Sequence, residues 1–117
     1  MNGKIIWVAL FALAMGIGQA GAHSKKEASV PANGAVLEAS PDMIAMTFDM
    51  PLQVTLITLT DQDSVAHELI RTDNMQPVTE FNAAVPNLPA GLYSVAWRGL
   101  ADDGHPMQGA FSFEVSE

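Results

Sequence analysis

The chain changes character after an apolar opening, and from there its hydrophobic positions recur with a period of two. Ile44, Met46 and Phe48 alternate with Ala45, Thr47 and Asp49. Tyr93, Val95 and Trp97 alternate with Ser94, Ala96 and Arg98, and Phe111, Phe113 and Val115 with Ser112 and Glu114. Successive side chains of a strand point to opposite faces, so each of these segments has one dry face and one wet face. Residues 52–60 are rich in β-branched types, which favour a pleated surface. Turn signals punctuate the runs: Pro31-Ala32-Asn33-Gly34, Asp61-Gln62-Asp63-Ser64, and Pro86-Asn87-Leu88-Pro89-Ala90-Gly91. The pattern predicts a short strand before Pro31, then strands over 43–49, 52–60, 65–70, 77–85, 92–100 and 109–115. Strands repeating at about 8 to 12 residues, with no sustained helical period, predict an all-β domain. A seven-stranded Greek-key sandwich is the first expectation and a small closed barrel the alternative.

The opening itself reads as a leader. Lys4 supplies a positive start, and residues 5–17 (IIWVALFALAMGI) carry no charge. An apolar run of about 13 residues suits a signal peptide and falls short of the roughly 20 that span a bilayer. Ala20-Gly21-Ala22 is an A-x-A cleavage signature, and no stop-transfer pattern follows it. The expected organisation is a signal peptide over 1–22 and one domain over 23–117. Cleavage after Ala22 leaves a free α-amine on His23. The loss of Lys4 takes the formal net charge from −8 to −9. That sign disfavours nucleic acid and anionic lipid. Cysteine is absent, which excludes disulfides and thiolate metal sites.

Three histidines remain as candidate chemistry: His23, His67 and His105. The amine and the imidazole Nδ1 of His23 can close a chelate ring within one residue. His105 lies in Asp102-Asp103-Gly104-His105-Pro106, where Gly104 permits an unusual backbone angle and Pro106 stiffens the exit. Asp103 and His105 are two apart, so in an extended stretch both project to one side. Together these groups offer three nitrogens and one oxygen. A roughly square-planar set of that composition suits Cu(II), whereas zinc prefers a tetrahedron. The predicted metal ligands are therefore His23, Asp103 and His105, for one Cu(II) per chain. Free amines titrate near pH 8 and imidazoles near about 6.5, so affinity should fall as pH drops through that range.

At these residues the sequence resembles the CopC-type periplasmic copper-resistance proteins. The likeness rests on His23 followed by Ser29-Val30-Pro31-Ala32-Asn33-Gly34-Ala35, and on Gly91-Leu92-Tyr93-Ser94-Val95-Ala96-Trp97-Arg98. It continues through Asp103-Gly104-His105-Pro106 and Gly109-Ala110-Phe111-Ser112-Phe113, covering residues 23–117. The resemblance implies an immunoglobulin-like β-sandwich or barrel in the periplasm and no catalytic turnover. It also implies a Cu(II) site made of the His23 amine and imidazole, the Asp103 carboxylate and the His105 imidazole. Two departures stand out. Some relatives carry a methionine-rich loop that binds Cu(I), but residues 60–69 here hold His67 and no methionine, which implies a Cu(II)-only protein. Some relatives also place a glutamate near the copper, and Met50 stands there in this chain.

Among the methionines, Met46 reads as core, and Met43 falls on the opposite face. Met50 and Met107 are the two that a soft metal ion would test. His67 reads as solvated, Tyr93 and Trp97 as core aromatics, and Arg98 as a partner for an acid near the site. Three functional readings follow. The first is a periplasmic Cu(II) chaperone or buffer, with an inner-membrane copper transporter or another periplasmic copper protein as its partner. The second is a copper-dependent oxidative enzyme of the amino-terminal-histidine type, opposed by the chain's small size and by Asp103 filling the position oxygen needs. The third is a metal-free structural sandwich.

Overall fold

The computed structural model describes residues 27–116, so the expected leader, its expected cleavage site and His23 lie outside the described residues. Eight strands follow in order: β1 (Glu27–Val30), β2 (Ala35–Leu37), β3 (Met43–Asp61), β4 (Ala66–His67), β5 (Ile70–Arg71), β6 (Val78–Ala84), β7 (Gly91–Ala101) and β8 (Pro106–Val115). Hydrogen bonding runs in the order β2-β8-β7-β3-β6-β5, with β1 and β4 also paired to β3. The first half of β3 pairs with β1 and β6, and its second half with β7 and β4. The curled sheet is thereby folded over at β3, and its halves enclose one core. The expected all-β sandwich is the observed fold.

β3 is a single element where the alternation predicted two. Proline cannot donate to a ladder, which is why the sequence seemed to break at Met50-Pro51. The pairing of β3 with β6 jumps from Thr47↔Glu80 to Leu52↔Val78, so Pro51 sits in an irregular stretch that asks nothing of its nitrogen. A second irregularity, between Val54 and Leu56 against β7, inserts one extra residue. Such a bulge reverses which residues face inward. Ile44, Met46, Leu52 and Val54 are buried before it and Leu59 after it, while Leu56 is left exposed.

Three further differences have local causes. Ala35–Leu37 pairs in parallel with β8 after the predicted turn, whose Asn33 Oδ1 accepts the Ser112 N–H at 2.9 Å. Residues 65–70 are not one strand but a crossover: Ala66–His67 pairs with β3, and Ile70–Arg71 with β6. β8 begins at Pro106, earlier than predicted, because a first strand position does not need its N–H.

The core takes Ile44, Met46, Phe81, Tyr93, Val95, Trp97, Phe111 and Phe113 from both halves. Tyr93 is buried, and its hydroxyl donates to the Pro89 carbonyl oxygen. Burial raises its pKa, with the Asp61 charge adding to the effect. The bend in β3 brings backbone against backbone at Gly99, where a Cβ would lie 2.6 Å from the Gln53 carbonyl oxygen and 3.1 Å from the Leu52 side chain. Overpacking of this kind typically costs about 1–3 kcal/mol. Gly99→Ala should therefore lower the unfolding free energy from urea titration by that amount, and an unchanged midpoint would show that the two strands are not in close contact there.

Candidate metal centre

β7 and β8 form an antiparallel hairpin whose last pair is Leu100↔Pro106. The loop between them is tied by its own backbone. Ala101 N donates to His105 O at 2.9 Å, and Gly104 N donates to Ala101 O at 2.9 Å. Closing so short a loop puts Gly104 at φ +91°, a left-handed conformation that a side chain would strain. The glycine singled out from the sequence is thus required by the turn.

The turn fixes Asp103 and His105 against each other. Asp103 Oδ1 accepts the His105 backbone N–H at 3.1 Å, and Oδ2 lies 2.7 Å from His105 Nδ1. Both side chains are otherwise open to solvent, 63% and 75% exposed respectively. The His105 backbone N–H, followed by its imidazole, holds the Asp103 carboxyl below the ordinary carboxylate value. An ionised carboxylate can only accept, so Nδ1 carries the proton of this bond. In the neutral imidazole the lone pair then resides on Nε2. A histidine held through Nδ1 by a carboxylate, with Nε2 free, is the arrangement that orients metal-binding imidazoles.

The described residues contain no group of three histidine or acidic side chains close enough to hold a metal. A metal held by the Asp103–His105 pair would need donors from beyond them. Strand β1 begins near the loop. Its first residue, Glu27, pairs with Phe48. Phe48 shares a cavity of about 210 Å³ with Ala101 and Met107, which flank the loop. The start of β1 thus opens at the same end of the sandwich as Asp103 and His105. Position 23 lies four steps along the chain before Glu27, a reach of about 14 Å in extended chain.

The remaining candidates separate. Met46 is buried, as its strand face predicted, and Met43 is exposed. Met50 and Met107 line the same cavity. Arg98 is exposed, and among the described residues it pairs with no acid, contrary to expectation. His67 is half-buried rather than solvated. Its Nε2 lies 3.0 Å from Asp61 Oδ2, and its ring meets Tyr93 edge-on at 5.7 Å. This contact holds the Asp61 carboxyl below its ordinary value, helped by the Val65 N–H. Asp61 escaped notice because the pairing Leu59↔His67, not sequence proximity, brings the two together. This second pair stands at the opposite end of β7, about 26 Å from the loop at strand rise. It is too distant to contribute to one centre.

Comparison with known proteins agrees with this architecture. The family model for the CopC domain matches residues 26–116. Copper resistance protein C of Pseudomonas syringae pv. tomato is 28% identical over 118 residues, covering 93% of this chain and 94% of that protein. The crystal structure of CopC from Methylosinus trichosporium OB3b superposes with a TM-score of 0.64 at 23% identity, over 75% of this chain and 88% of that one. PcoC, a methionine-rich copper resistance protein from Escherichia coli, superposes with a TM-score of 0.60 at 26% identity, over 76% and 94%.

Proposed function

The chain belongs to the CopC family, and from that membership and its exposed Asp103–His105 pair we propose a periplasmic protein that binds Cu(II) as cargo. The proposed ligands are the α-amine and imidazole of His23, the carboxylate of Asp103 and the imidazole of His105. One observation carries the reading: the 2.7 Å contact that pins His105 Nδ1 to Asp103 and leaves Nε2 available. Asp103 Oδ2 keeps a second lone pair, so the same oxygen can orient the imidazole and meet the ion.

These donors are hard or borderline, and they give an N₃O set whose natural geometry is tetragonal. That geometry favours Cu(II) over the other divalent first-row ions. Nothing in the pair supplies a cleft for a second reactant, because both side chains stand on an open loop. Storage and handover suit such a site. A protein that receives copper in the periplasm and passes it to an inner-membrane transporter, or to another periplasmic copper protein, needs a ligand set that a partner can approach. The leader over 1–22 supports export, and its removal is what creates the His23 amine.

The test is an electron paramagnetic resonance spectrum of the correctly processed, Cu(II)-loaded protein. The expected spectrum is tetragonal, with hyperfine structure from three nitrogen donors. Two nitrogens or fewer, or no binding tighter than about micromolar (about −8 kcal/mol), would reject the proposed ligand set.

A further inference from the structure

The outer face of β7 and β8 is unlike the rest of an acidic molecule. The chain carries 13 acidic residues against 5 basic ones. Yet β2, β8, β7 and the second half of β3 (residues 52–61), which lie side by side, contain only Asp61, Arg98 and Glu114 as charged residues. Asp61 is engaged by His67 at 3.0 Å. Arg98 and Glu114 meet no opposite charge among the described residues. Alternation turns both outward, because Trp97 beside Arg98 and Phe113 beside Glu114 point into the core. Between the two charges the face is made of small residues, with Ala96 beside Ala110 and Ser94 beside Ser112. A leucine stands at each end. Leu56 is in register with Arg98 and 48% exposed, and Leu92 is in register with Glu114 and 55% exposed. Around Leu92 and Glu114 the surface is hollowed by about 390 Å³.

We infer that this face binds the same face of a second copy of the chain, forming a two-fold dimer. An isologous contact requires a surface complementary to itself. Arg98 and Glu114 stand on neighbouring strands, about 20 Å apart along the sheet. A two-fold axis between the copies, running across the strands at the level of Val95, sets Arg98 of each copy over Glu114 of the other. The same axis sets Leu56 over Leu92, so the exposed leucine of one copy enters the hollow of the other. The sideways offset of one strand tilts the two sets of strands by under about 30°, within the angle at which sheets pack. The alanines and serines at the centre let the sheets approach to about 10 Å. Four strands over about 25 Å give roughly 500 Å² on each copy, about 1,000 Å² in all, the lower bound for a specific interface. The dimer is therefore weak and reversible. None of the proposed Cu(II) ligands belongs to the contact.

Sedimentation equilibrium of the processed mature protein tests the dimer. Monomer should dominate at about 1 μM and dimer by about 1 mM. Arg98→Glu and Glu114→Arg each place like charges opposite one another and should weaken association by about tenfold or more. Glu114→Arg is the sharper of the two, because it makes an acidic protein less negative. Loss of general repulsion would strengthen its self-association, whereas loss of the pair weakens it. The double variant Arg98→Glu/Glu114→Arg keeps the wild-type net charge, re-forms the pair with its sides exchanged and should return association to the wild-type strength. A protein that stays monomeric to about 1 mM would overturn the dimer and leave the face to a different partner. Undiminished association in the single variants, or no recovery in the double variant, would overturn this pairing of the two faces.

Discussion

Phe81→Ala is expected to destabilise the domain by about 3–5 kcal/mol, the range for truncating a fully buried aromatic ring. Phe81 is 0% exposed in the middle of β6. It also serves as the platform for a charged clamp. The Arg71 guanidinium lies 5.2 Å over the ring, and Arg71 Nη2 donates to the Val54 carbonyl oxygen at 2.6 Å. Asp73 completes the clamp through Arg71 Nε at 2.9 Å and Nη2 at 2.7 Å. Alanine at position 81 therefore opens a cavity and removes the face on which Arg71 rests. Against a typical total of about 5–15 kcal/mol, the loss is a large fraction of the stability. For a domain of this size it should lower Tm by roughly 15–30 °C. Guanidinium unfolding monitored by Trp97 fluorescence measures it, and a loss under about 1 kcal/mol would place Phe81 outside the core. The clamp also carries a pH signature. Arg71 holds the Asp73 carboxyl below its ordinary value, so unfolding takes up a proton in acid. Its contribution is complete above about pH 4 and is lost as pH falls through the depressed folded value.

What the sequence disclosed was what local rules govern. The alternation in 92–100 and 109–115 put Tyr93, Val95, Trp97, Phe111, Phe113 and Val115 inside, and all six are buried. The loop geometry was also legible, because Gly104 and the two-residue spacing of Asp103 and His105 act within a few bonds. Non-local facts were hidden. Pro51 looks like a strand breaker until β6 is seen to skip it, and the bulge beyond Val54 changes the inward parity through pairing with β7. The contact of His67 with Asp61 depends on the register of β4. The convergence of Met50 and Met107 needs the folded sheet, since 57 positions separate them in the chain. The sequence offered only that both were methionines outside the core pattern.

Retaining a single residue before His23 should reduce Cu(II) affinity by about a thousandfold, or about 4 kcal/mol. The change converts the α-amine into a peptide nitrogen and destroys the chelate ring, yet it touches nothing in the folded sheet. Asp103→Asn should act differently. The asparagine carbonyl can still accept the His105 backbone N–H, so the turn persists. Its amide then faces Nδ1 as a donor, which moves the imidazole proton to Nε2, the nitrogen the metal needs. Loss of such an orienting carboxylate typically costs about 10–100-fold in metal affinity. The pH dependence separates the two contributions. Protons compete with the metal for the nitrogen donors, so wild-type affinity should fall as pH drops toward 5. Asp103 does not take part in that fall, because its carboxyl is held below 3.8 and remains ionised throughout. Asp103→Asn should therefore lower affinity by a similar factor at pH 5 and pH 8, while the amino-terminal extension should flatten the profile. Competition titrations against a chromophoric chelator at several pH values read both effects. Equal Cu(II) affinity in the extended and processed proteins would remove His23 from the site and leave Asp103 and His105 as an exposed pair without a chelating partner.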